Sequence, residues 1–393
     1  MMRLFFGELS VEEAFAKERV LERARVAWRC LQEGDDERAR QLMEQIDPRL
    51  AFTVRHDAQG VACAELTALE AGAWPLAELL LAQAPSALGC ALALGRMAVP
   101  LVDALAEVKE SHALELDGAT LRAGFGRGHL LELTLGIPGG SGSENEQNAA
   151  ENLVRALVGD RLFETWIGAV HATPAPRRSS LRVLDINAPR TTLQLRELFD
   201  TVAAAVLGVL QGLPEHARAE TDFAEPSAGK VGGVDHDPRA DWTLLETEPL
   251  DDAPGLRKND LVLASTCTPE LLRCYLDGSP CASRRFSRVG ETYVFVSYED
   301  DARTMQTRVA RRAALEAALC EAVAGVGAVT GVGFGVRTTY VDFALCNLET
   351  GLARLVAKLK AHGAPARTFI QFFDSELADE WLSIWPDSRL TEG

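Results

Sequence analysis

Residues 325–345, GVGAVTGVGFGVRTTYVDFAL, set five glycines into the eleven positions from Gly325 to Gly335, ahead of an alternating run. A dinucleotide cradle needs such a cluster after a strand and before a helix, so that the helix N-terminus faces the pyrophosphate. Here a helical period over residues 304–324 precedes the glycines and a strand pattern follows them. Nor does a Lys-Ser or Lys-Thr follow, as a P-loop requires. The run is therefore expected to stop a helix at Gly325 or Gly327 and then to enter a strand. Glycines inside a strand mark a bulge, a bend or the close approach of another group.

In the following stretch, Thr339, Val341, Phe343 and Leu345 make one face of a strand, and Thr338, Tyr340, Asp342 and Ala344 make the other. The second set is too polar for an ordinary helix-covered face. It is expected to meet solvent, another domain or a pocket. Neighbouring strands offer Tyr293, Ser297 and Tyr298, with Gln371 and Asp374 on the last of them. The candidate binding residues for a polar ligand or a partner's side chains are thus Arg337, Tyr340, Asp342, Gln371 and Asp374.

Outward from this hairpin, GETYVFVSYE predicts a strand before the 304–324 helix. Leu348 to His362 predicts a helix capped by Asn347 and stopped by Gly363, and ARTFIQFFD a last strand. The order is β-α-β-β-α-β. A similar order is expected upstream: strands in His112 to Ile137, a helix Ala149 to Trp166, strands IGAVHATPAP and SLRVLDI, a helix Thr192 to Leu213, and a strand in Asp241 to Leu250. This order resembles the ferredoxin-like fold, here in tandem. Residues 256–393 would hold the second module, with a strand DLVLAST and a helix opened by Thr268 and Pro269 extending its sheet. Residues 111–255 would hold the first, including a polar linker over 214–240.

Before residue 110 the pattern predicts stacked helix pairs. Ser10 to Glu13 reads as a capping box, opening a helix that runs to Gly34. Asp35 or Asp36 caps a second, Glu37 to Ile46. A second pair is expected from Gly60 to Gly72 and from near Pro75 onward. Through Ala27-Trp28, Leu31, Gly34, Ala39 and Pro48 the first pair resembles half a tetratricopeptide unit. Through Gly60, Leu66, Gly72 and Leu79-Leu80-Leu81 the second resembles an ankyrin unit. The resemblance implies a helical-repeat domain over 1–110, whose surface would bind protein. The fold class expected for the whole chain is α+β, a helical region followed by two ferredoxin-like modules.

The chain has 393 residues and a formal net charge of -17. Surplus acid argues against a nucleic-acid backbone, which needs clustered Lys and Arg, and suits a basic protein partner. The one dense basic run, Arg308 to Arg312, reads as a solvated helix face diluted by Glu316. The first residues lack the pattern of a secretory signal, and no stretch is long and apolar enough for a membrane span, so reduced thiols in the cytoplasm are expected. Cys267, Cys274 and Cys281 recur every seven residues, but Pro269 and Pro280 keep one helix from carrying all three. They read as buried thiols, and Asp235-His236-Asp237 as a solvated spacer. His171 reads as a core or edge residue, and the segment holding Glu376, Glu380, Trp381 and Trp385 as a packed C-terminal tail with solvated carboxylates, where Glu376 and Glu380 would share a face if it were helical. No cofactor and no metal is expected. The role these features imply is non-catalytic recognition of another protein, as an accessory, inhibitor or immunity-type factor. The alternative is an enzyme or sensor holding a small polar molecule between the two sheets.

Overall fold

The computed structural model describes residues 11–56, 62–86, 88–175, 193–213, 242–249, 258–302, 304–378 and 380–385. These divide into two compact units, one within Ala14–Val209 and the other within Leu210–Gly393, with which the described residues 11–13 are grouped.

The first unit opens with the expected helices, α1 (Val11–Gln32) and α2 (Asp36–Glu44). The Asp35 side chain accepts from the Arg38 amide and caps α2. Trp28 anchors the packing: its ring meets Phe52 edge-on at 5.6 Å, and its indole N–H donates to the Leu80 carbonyl at 3.0 Å. Beyond α2 the repeat expectation fails. Strands β1 (Leu50–His56) and β2 (Ala62–Ala68) pair antiparallel, and after α3 (Trp74–Leu81) a third strand, β3 (Ala91–Leu94), joins β2 in parallel. The segment expected to be a helix up to Gly72 carries a period of two as well as one of 3.6. Ala64, Leu66 and Ala68 are buried on one face of β2, while Glu65 on the other meets Arg55 at 2.9 Å.

The unit continues through α4 (Leu101–His112), β4 (Thr120–Phe125), β5 (Leu131–Ile137), α5 (Glu144–Val158), α6 (Asp160–Trp166), β6 (Ile167–Pro174), β7 (Leu193–Gln194) and α7 (Leu198–Gly212). The sheet order is β6-β5-β4-β7. Ser143 and Glu146 form a capping box, so α5 begins earlier than the expected Ala149. Gly159, at φ 83° and packed against the Arg96 carbonyl, separates α5 from α6 where one helix was expected. SLRVLDI lies outside the described residues. The strand expected to close this first module, β8 (Thr243–Glu246), instead pairs with β9 (Leu261–Thr266) in the other unit's sheet.

That sheet has seven strands in the order β14-β13-β10-β12-β11-β9-β8. Its further elements are α8 (Pro269–Leu276), β10 (Thr292–Glu299), α9 (Met305–Val323), β11 (Gly327–Gly335), β12 (Thr338–Leu345), α10 (Leu348–His362), β13 (Thr368–Phe372) and β14 (Trp381–Ser383). Mixed helix and antiparallel strand make the fold class α+β. Helices α9 and α10 cover one face, where Leu315, Leu319, Leu355 and Leu359 pack on Val294, Val296, Val341, Phe343 and Ile370. Local chemistry sets their ends. Thr304 accepts from the Thr307 amide, Asn347 accepts from the Thr350 amide, and Gly363 ends α10 in the left-handed conformation. The C-terminal tail is packed as expected but is not helical, and Glu380 is buried rather than solvated. Ser375–Leu377 make a single 3-10 turn, and Trp381–Ser383 then pair with β13, burying Leu382 under the helices.

The basic run is also not a solvated face. Arg311 is exposed beside Asp301, but Arg308 and Arg312 are buried. The Arg308 guanidinium donates to the Gly335 and Thr338 carbonyls at 3.0 and 2.9 Å, tying α9 to the β11–β12 turn. Glu316, one turn beyond Arg312 and 3.6 Å from it, is buried, and burial raises its pKa from 4.5 to about 7. Between those values the folded protein retains a proton that the unfolded chain has released. The stabilisation is therefore complete at low pH and is lost as pH rises through 7. Urea midpoints at pH 5 and pH 8 should drop less for Glu316→Gln than for the wild type; equal drops would contradict the assignment.

Candidate functional site

The polar face of β12 is not open to solvent. It lies under a third layer built from α8, residues 279–286 and the segment holding Lys258 and Asp260. Leu271, Leu272, Phe286, Tyr293, Phe295 and Phe373 form its apolar part. Within it Asp342 pairs with the Lys258 ammonium, and the two side chains are 4% and 1% exposed. The ammonium sits 4.8 Å from the Phe295 ring centre, 5.0 Å from that of Phe373 and 5.2 Å from that of Tyr340. These are cation–π distances. Burial lowers the Lys258 pKa, and Asp342 opposes that shift. A second carboxylate, Asp260, accepts from the Arg337 and Thr338 amides at 2.9 Å each and from the Tyr340 hydroxyl. Burial, and then Asp260, push the Tyr340 phenol up from its usual value.

The glycines of β11 make these carboxylates possible. A Cβ on Gly331 would lie 2.7 Å from Asp342 Oδ2, and one on Gly335 would overlap the Asp260 carboxylate. The register shift between Val329 and Gly331 sets Gly331 opposite Asp342. Close approach is thus what the glycine run serves, and the approaching groups are carboxylates of the same chain.

The five candidate residues therefore separate. Tyr340 and Asp342 belong to a filled, internally paired layer. Arg337 has an exposed side chain, and only its amide takes part. Gln371 and Asp374 remain, at the β13 end of the same face, and they line a cleft of about 260 Å³ with Tyr275, Cys281, Phe373 and Glu380. A row of directly opposed residues, Gln371, Phe295, Asp342, Gly331 and Thr266, links the two regions across five strands. Gln371 is buried and donates from Nε2 to Ser297 Oγ at 2.7 Å; its Oε1 has no hydrogen-bond partner among the described residues. Asp374 accepts from the Ser283 amide at 2.7 Å and from the Ser283 hydroxyl, and burial pushes its pKa up.

Sequence reasoning missed Lys258, Asp260, Tyr275 and Glu380 as parts of these regions. Lys258 has no local motif to mark it. His171 is exposed on β6, and Asp235-His236-Asp237 lies outside the described residues. Among the described residues no helix is long and apolar enough to cross a membrane. No protein-family model, curated protein or solved structure matches this chain.

The Lys258–Asp342 pair yields a stability test. Lys258→Met leaves a carboxylate buried without its counter-charge and should cost roughly 3–5 kcal/mol. Adding Asp342→Leu should recover most of that loss in chemical denaturation. A double variant no more stable than the single one would show that the charge is not what the layer balances.

Proposed function

We propose that the protein acts by recognition and receives a lysine or arginine side chain of a protein partner in the cleft beside Gln371. The observation that carries this reading is the lining itself: Gln371, Asp374 and Glu380, three residues rich in oxygen acceptors, border one cleft with Tyr275 and Phe373. An ammonium or guanidinium brings donors only, which complements carboxylate and amide oxygens. The aromatic walls favour a cation over a neutral donor. A net charge of -17 adds long-range attraction for a basic partner. Such a role fits an accessory, inhibitor or immunity-type factor.

In this reading the C-terminal unit is a ferredoxin-like core with added strands. The support is its element order, β10-α9-β11-β12-α10-β13, together with the spatial order β13-β10-β12-β11. The additions β9, β8 and β14 extend that core on both sides.

Titration calorimetry with hexa-arginine, hexa-lysine and a neutral hexapeptide tests the proposal. The basic peptides should bind more tightly than the neutral one, and Gln371→Leu or Glu380→Gln should weaken them at least about tenfold, each lost charge-assisted bond being worth about 1.5–3 kcal/mol. Equal affinity for basic and neutral peptides, or insensitivity to both substitutions, would overturn it. If free arginine bound as tightly as the peptides, the small-molecule reading would replace the protein partner.

A further inference from the structure

Cys274 lies in the last turn of α8, and the chain then reverses through Gly278 at φ 70°. The Ser279 amide donates back to the Cys274 carbonyl at 3.1 Å, closing the reversal. Cys281 is thereby returned toward Cys274, whose Sγ donates to the carbonyl of the neighbouring Pro280 at 3.5 Å. Beneath them lies the guanidinium of Arg285, a fully buried side chain, with Nη2 3.6 Å from Cys274 Sγ. Cys281 lines the cleft, and Cys274, 1% exposed, lies behind it. Two thiols brought together by one tight turn, a fixed positive charge beside one of them and a cleft at the other are the elements of a reactive dithiol.

We propose that Cys274 and Cys281 form a redox-active pair, oxidised by hydroperoxide entering through the cleft to a reversible intramolecular disulfide. The Cys274 thiolate attacks one peroxide oxygen. The O–O bond breaks, and the departing hydroxide takes up a proton to leave as water. Cys274 is then a sulfenic acid. The Cys281 sulfur, losing its proton, attacks the Cys274 sulfur; the S–O bond breaks and a second water leaves. Two thiols are oxidised and one peroxide is reduced to two waters. A dithiol reductant reverses the change by exchange.

The electrostatics agree with this assignment. The Cys281 hydrogen bond, followed by the Arg285 charge, lowers the Cys274 pKa from 9.0 to about 7, and the same contact raises that of Cys281. An ordinary thiol is only a few per cent ionised at pH 7. The Cys274–Cys281 pair should therefore be oxidised before Cys346, which has no such partner set and whose pKa burial raises.

The full-length protein is treated with one equivalent of hydrogen peroxide at pH 7. Remaining thiols are blocked with N-ethylmaleimide under denaturing conditions, and the unreduced digest is read by mass spectrometry. The expected product is a Cys274–Cys281 crosslink, two hydrogens lighter, that forms before Cys346 is modified and disappears with dithiothreitol. In Cys281→Ala, dimedone should instead trap a sulfenic acid on Cys274. Oxidation of Cys346 while Cys274 and Cys281 both remain alkylatable would overturn the proposal. If Cys281→Ala does not fold, the wild-type crosslink and its rate relative to Cys346 decide alone.

Discussion

Two carboxylates buried against a β-sheet are the constraint around which the C-terminal unit is arranged. A carboxylate without partners in an apolar interior is strongly disfavoured. Asp342 is balanced by Lys258, and Asp260 by two backbone amides and a phenol. Each solution requires space that a side chain on β11 would occupy, so Gly331 and Gly335 are as necessary as the charges themselves. The aromatic rings of Phe295, Phe373 and Tyr340 close around the ammonium and exclude water from the pair. A buried ion pair of this kind adds little net stability over an apolar equivalent, but breaking it is costly. It thereby holds the third layer in one register against the sheet.

The same sheet face is locked at its centre and open at one end. In the row running from Gln371 to Thr266, the central positions are filled by Phe295 and Asp342, while Gln371 borders the cleft. The rigid centre fixes β10 and β13, and these strands in turn position the cleft residues. Placing a binding group on packed strands rather than on loops keeps its geometry defined before a ligand arrives. Asp374, one residue beyond Phe373, belongs to both regions: Phe373 faces the Lys258 cage, and Asp374 holds the Ser283 backbone at the cleft wall.

What the sequence made legible was local. Asn347 and Gly363 bracket α10, Thr304 opens α9 and Pro269 starts α8, because caps act within one turn of the residues that carry them. Non-local pairings were not legible. Residues 62–68 satisfy a helical and a strand period at once, and only β1 decides between them. The strand β8 carries no mark of which sheet it will join. Tyr340 and Asp342 were recognised as a special polar face, yet their partners precede them by eighty or more residues, so nothing nearby shows that the face is internal. Arg308 resembles a surface charge for the same reason, since the carbonyls that bind it lie on a later hairpin. Gln371 could be placed because its strand could be read, whereas Asp374 lies beyond the strand it was expected on, and Tyr275 and Cys281 reach the cleft only through the fold.

The distance in sequence between Lys258 and Asp342, 84 residues, also bears on how the chain reaches this state. The β11–β12 hairpin closes across residues 336–337 alone, so its loop entropy is small and it can form early. Strand β9 must then find β11, and β13 must find β10, across much longer intervening chain. Topologies dominated by such long-range contacts fold slowly. Until the third layer closes, Asp342 is satisfied by water, and the hairpin can wait without an unpaired charge in an apolar setting. The charge that constrains the finished sheet thus carries no desolvation cost while the hairpin is still open to water.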